Sequence, residues 1–133
     1  MKTFGRLSLA ALVFAGTCGG ALSQDVGSIR AEGLYAWVDK MPPPPDGIHL
    51  RGMITAPTPC HETATSYEGD SKSDPPIYRV KVSIVEPSPD LVCIQMIADV
   101  PFTYDEANYV GNHENMEVFS DTDSKTVKIE VVQ

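Results

Sequence analysis

Three histidines, His49, His61 and His113, accompany the methionines Met53, Met96 and Met116. Imidazole with thioether is a ligand set that suits copper. His49 and Met53 fall on one face of an alternating segment, but extended chain separates their side chains by about 13 Å at ~3.3 Å per residue. They do not share an ion. His113 and Met116 stand closer in sequence, at a loop-to-strand junction, yet two ligands alone hold a metal weakly. Calcium is the other ion to weigh. Asp121, Asp123 and Ser124 cluster oxygens, as do Asp105, Glu106 and Asn108. The calcium loop of helical proteins needs more carboxylates at fixed spacing and a glycine, which this chain lacks. Asp, Asn and Ser are also standard turn formers, because their side chains bond to their own backbone. Surface histidines, core methionines and turn chemistry account for these residues, so no metal ligand or cofactor is assigned. An exported copper- or calcium-binding protein remains the alternative reading.

Catalytic patterns are missing. Gly-x-Ser-x-Gly, His-Glu-x-x-His and the glycine-rich nucleotide loops do not occur. The expectation is a protein that is not an enzyme and has no catalytic residue.

The N-terminus points to export. Lys2 and Arg6 precede the apolar run Leu7–Ala15, and no acidic residue occurs before Asp25. A basic start, a short apolar stretch and then small residues is the layout of a secretory signal peptide. The run is shorter than the ~20 residues needed to span a bilayer. Ala21 and Ser23 supply the small residues a signal peptidase requires, which places the cut after Ser23 and the signal at residues 1–23. Lipid anchoring at Cys18 is disfavoured, since Ala15-Gly16-Thr17 matches a lipobox poorly. The expected compartment is the bacterial periplasm or the exterior.

With the signal removed, Cys60 and Cys93 are the remaining thiols, and in an exported domain they are expected to form one disulfide. Residues 24–133 make a single domain. Its net charge moves from −8 to −10, because Lys2 and Arg6 leave and no acid does. Such a surface repels nucleic acid and anionic membrane, both of which bind through clusters of Lys and Arg.

The elements that position these residues read as strands and turns. Gly47–Thr55 alternates, with Ile48, Leu50 and Ile54 on one side and His49, Arg51 and Met53 on the other. Tyr78, Val80, Val82 and Ile84 share one face of Ile77–Val85. Leu91–Ala98 is nearly all apolar and reads as a central strand buried on both faces. Val100, Phe102 and Tyr104 alternate next, before a loop at 108–115. Further strands are expected over Ala31–Asp39, His61–Tyr67, Met116–Phe119 and Thr126–Val132, the last with Val127, Ile129 and Val131 inward. The run Pro42–Pro45 is an extended spacer.

Seven or eight short antiparallel strands at this spacing predict an all-β domain, a small immunoglobulin-like sandwich or alternatively a small barrel. Trp37 precedes both cysteines, so the antibody pattern of tryptophan between paired cysteines is not met. The function expected is that of a non-catalytic binding module of the cell envelope, engaging another envelope protein or a peptide. Its candidate loops are Pro57, Thr58, Pro59 and His61, where prolines stiffen the chain beside a cysteine, and the stretch containing Asn108 and His113.

Overall fold

The computed structural model describes residues 25–40 and 45–133. The signal segment 1–23 with Cys18, and most of the proline run, lie outside the described residues. The fold is all-β. Seven strands occur among the described residues: β1 Tyr35–Asp39, β2 Asp46–Ala56, β3 Glu62–Asp70, β4 Tyr78–Val85, β5 Ala98–Tyr109, β6 Asn115–Phe119 and β7 Ser124–Val132. No helix among the described residues is long and apolar enough to cross a membrane.

The strands form one sheet in the order β3-β4-β6-β7-β1-β2-β5. Two neighbours run parallel, β1 with β7 and β4 with β6, where an all-antiparallel arrangement was expected. The cause is β7. Its first half, Ser124–Lys128, pairs antiparallel with β6, and Ile129–Val132 then pairs parallel with β1. One strand thus serves both halves of the sheet, and the sheet curls into a nearly closed barrel.

The terminal strands β3 and β5 meet without a backbone ladder. Thr63 Oγ1 donates to the carbonyl of Pro101 at 2.9 Å, and Thr65 Oγ1 to that of Thr103 at 2.6 Å. Two threonine hydroxyls therefore do at this seam what amide–carbonyl pairs do elsewhere.

The alternating segments become strands because one face is covered and the other is wet. Ile48, Leu50 and Ile54 of β2, Phe102 of the neighbouring β5, and Val80 and Val82 of β4 belong to one buried core cluster. Met116 and Val118 of β6 complete the packing. Before β1, the chain lies along the end of β2. Gly27 N donates to Thr55 O, Thr55 N to Ser28 O, and Ile29 N to Asp123 Oδ2 at 2.8 Å.

Four expectations are corrected. Leu91–Ile97 forms no strand and is not buried. Val131 shares a side of β7 with Ile129 and pairs with Val38 of β1, yet is 55% exposed. The first strand begins at Tyr35 rather than Ala31, and Asn108 lies within β5 rather than in the following loop.

Candidate functional site

The disulfide joins Cys60, just after β2, to Cys93, in the connection between β4 and β5, with Cα atoms 6.1 Å apart. Pro57 and Pro59 fix the backbone before Cys60. Thr58 and His61 hold the turn from within. Thr58 Oγ1 lies 2.8 Å from His61 Nδ1, and the Cys60 amide donates to the same hydroxyl at 3.3 Å. Both side chains are buried, so of the residues proposed for this binding loop, Pro59 is the one fully presented to solvent. His61 Nε2 also contacts Glu86 Oε2 at 3.3 Å. The β4–β5 connection is thereby held twice, by this contact near its start and by the disulfide near its middle.

Between Asp90 and Asp99 the chain carries no charge. Leu91, Val92, Ile94, Met96 and Ile97 stand in solvent, 53, 98, 70, 58 and 48% exposed respectively. A lone exposed valine is ordinary, but a contiguous apolar stretch marks an interaction surface. Its backbone is open as well. Leu91 N donates to Ser88 O and Met96 N to Ile94 O, while the amides of Val92, Cys93 and Ile94 have no protein acceptor among the described residues.

A second cluster, which sequence reasoning missed, fills the other end of the barrel. Tyr78 stacks on Tyr67 with centroids 4.3 Å apart. Its hydroxyl donates to Glu106 Oε2 at 2.5 Å and lies 2.9 Å from the Tyr104 hydroxyl, which donates to the same oxygen at 3.0 Å. Tyr67 donates to Asp70 Oδ1 at 2.6 Å. The His113 amide donates to the Tyr109 oxygen at 3.0 Å, and that hydroxyl lies 2.6 Å from His113 Nδ1. With Nδ1 as acceptor, Nε2 carries the proton and faces Asp70 Oδ2 at 3.0 Å.

Burial raises the affinity of all four tyrosines for their protons, Tyr67 to about 12 and Tyr78 furthest, its hydrogen bond to Glu106 adding to the effect. Burial pulls the Asp70 carboxyl upward too, but hydrogen bonds from Tyr67 and His113 outweigh it and hold the group below its ordinary value. The cluster consists of tyrosine hydroxyls, the His113 imidazole and two engaged carboxyl groups, Asp70 and Glu106. Its chemistry is cross-linking of strands.

Beside it lies a cleft of about 540 Å³, lined by Lys40, Asn112, His113, Lys128 and Val131 among others. His113 is thus on a concavity, but both ring nitrogens are taken by Tyr109 and Asp70. Asn108 does not line that cleft.

The proposed metal ligands are dispersed. His49 Nδ1 bonds Asp105 at 2.6 Å while its ring stacks on Trp37. Met116 is buried in the core and Met96 is in the exposed segment. Asp123 caps the amides of Ile29 and Ser124 and contacts Lys125. Asp105 holds His49 and Arg51, and Glu106 holds Tyr78 and Tyr104. No group of three or more His, Cys, Asp or Glu is placed to hold a metal among the described residues.

Fold and site together define a disulfide-tied, nearly closed β-sheet that presents an apolar loop. Comparison with protein-family models, curated proteins and solved structures returned no match to this chain.

Proposed function

We propose that the protein is an exported, non-catalytic binding module of the envelope or extracellular space, and that it engages a protein or peptide through Leu91–Ile97. The observation that carries this reading is the contiguous apolar stretch held in water by Cys93. Burying a Leu, Ile or Val side chain is worth roughly 1.5–3 kcal/mol. The fold forgoes that gain at five neighbouring positions, and a partner recovers it. Two anchors limit the conformational freedom lost on docking. The disulfide also suits an oxidising compartment.

The test is a pull-down from envelope extract of the native host, comparing the oxidised protein with Val92→Asp/Ile94→Asp. Recovery of a specific partner by the parent and its loss in the double variant is the expected result. Equal recovery by both, or loss only on mutating Pro59 or Asn112, moves the site elsewhere.

A further inference from the structure

We infer that the occupant of this loop is the substrate cleft of an endopeptidase with apolar specificity, and that the protein is its inhibitor. The inference rests on the reading of Leu91–Ile97 as the docking surface and names the partner's chemistry.

The backbone comes first. Peptidase clefts bind a peptide as an added strand, taking main-chain hydrogen bonds from both sides of the scissile residue, with side chains in separate pockets. The chain from Leu91 to Ile94 contains neither turn nor bend and belongs to no ladder. The amides of Val92, Cys93 and Ile94 await acceptors among the described residues. A segment already paired in the sheet could not make those bonds without unfolding. This one can.

Side chains come second. Val92 protrudes furthest, at 98% exposure, and is the residue to enter the primary specificity pocket. Leu91 and Ile94 flank it and are also exposed. The depth and charge of the primary pocket decide which side chain an endopeptidase accepts. A valine fits a small apolar pocket and leaves a pocket built around a carboxylate, such as trypsin's, unsatisfied. The absence of charge between Asp90 and Asp99 agrees with an apolar cleft.

The third observation separates an inhibitor from a substrate. Hydrolysis of the Val92–Cys93 bond adds one water and leaves a carboxylate on Val92 and an amine on Cys93. Neither end can diffuse away. Val92 remains joined through Leu91 to the turn after β4, where Leu91 N holds Ser88 O at 3.0 Å. Cys93 remains bonded to Cys60. The nicked ends stay in the cleft, so product release is slow and resynthesis competes with it. Ordering the loop before binding also removes much of the entropy a flexible peptide loses on docking.

The experiment measures hydrolysis of small chromogenic substrates by pancreatic elastase, subtilisin and trypsin, in the presence of the mature oxidised protein. Inhibition of elastase or subtilisin, with trypsin unaffected, is expected. Val92→Asp should weaken it at least tenfold, and Val92→Lys should transfer inhibition to trypsin, with circular dichroism confirming that both variants fold. Reduction of the disulfide should turn the loop into a substrate cut between residues 92 and 93. The inference is overturned if the oxidised protein inhibits neither apolar-specific enzyme, if it is cut with normal turnover, or if Val92→Lys gains nothing against trypsin. A partner recovered by the pull-down alongside failure here would leave the docking surface standing and remove only the peptidase.

Discussion

His113 Nε2 lies 3.0 Å from Asp70 Oδ2, joining the loop after β5 to the end of β3. The contact completes a chain from Tyr109 through His113 to Asp70 and Tyr67. Asp70 has its carboxyl held below the ordinary value, so it binds protons less readily folded than unfolded. Its stabilisation is therefore present above the unfolded carboxylate range, near pH 4, and is lost as pH falls through the lower folded value. Asp70→Asn should cost about 1 kcal/mol or less at pH 7, since the pair is partly exposed. The difference from the parent should close as pH falls below the ordinary carboxylate range and through the lowered folded value. Urea unfolding at a series of pH values checks both points.

The tyrosines work in the opposite direction. Burial raises the proton affinity of Tyr67, Tyr78, Tyr104 and Tyr109. Their neutral hydroxyls contribute stability in full below the unfolded tyrosine value of about 10, and lose it as pH climbs toward the folded values. Titration of phenolate absorbance should therefore show these groups ionising above pH 10, Tyr67 at about 12. The ionisation of Tyr78 should coincide with loss of the near-ultraviolet circular dichroism. A reversible ionisation of all four near pH 10 without unfolding contradicts the buried cluster.

How much of this was readable beforehand differs by element. β2 and β4 each have one wet face, so alternation in Ile48–Ile54 and Tyr78–Ile84 reported the true inward sides. Leu91–Ile97 lacks alternation because no face is wet by exclusion: the whole segment is. An apolar run buried on both sides and one exposed on both sides have the same pattern, and what separates them here is the tether at Cys93, whose pairing was foreseen but not its mechanical consequence. The Tyr78–Glu106 and His113–Asp70 contacts bring together β3, β4, β5 and the loop before β6. No spacing within one strand encodes them. His61 looked like a loop side chain because it follows two prolines, yet its buried contact with Thr58 turns it inward, with Glu86 meeting its outer nitrogen from the solvent side.

Gly52 marks the closest approach between β2 and the interior. A Cβ there would stand 2.5 Å from Phe102 Cζ and 3.0 Å from Leu34 Cδ1. Phe102 is fully buried and has little room to retreat. Gly52→Ala should destabilise by about 1–3 kcal/mol through overpacking, although alanine usually favours a strand over glycine. Coupling it with Phe102→Leu should return part of that loss, which a double-mutant cycle in urea measures.

The disulfide closes a separation of 33 residues. Chain entropy alone gives about 3–4 kcal/mol for a loop of that length. Cys60→Ala/Cys93→Ala should lower stability by about that amount and retain the sheet, because the core residues lie elsewhere. Hydrogen exchange should separate two effects: the amides of Val92 and Ile94, which have no acceptor among the described residues, exchange quickly in both proteins, whereas those of β2 near Ala56 lose protection in the variant. A variant as stable as the parent shows that the reduced chain retains the loop contacts in its unfolded state.

Exposure without pairing has a cost in solution. Leu91–Ile97 combines β-branched and other apolar residues with no charge and no proline, the composition that promotes strand association between chains. Val92→Glu/Ile94→Glu should leave unfolding free energy within about 0.5 kcal/mol of the parent, since neither side chain packs in the core. The same pair should reduce binding of a hydrophobic dye and slow aggregation at high concentration, because it breaks the apolar stretch and adds to an already negative net charge. Light scattering with equilibrium unfolding reads both. A large loss of stability with unchanged aggregation would mean that these side chains support the fold, and the loop would then cease to be a free surface.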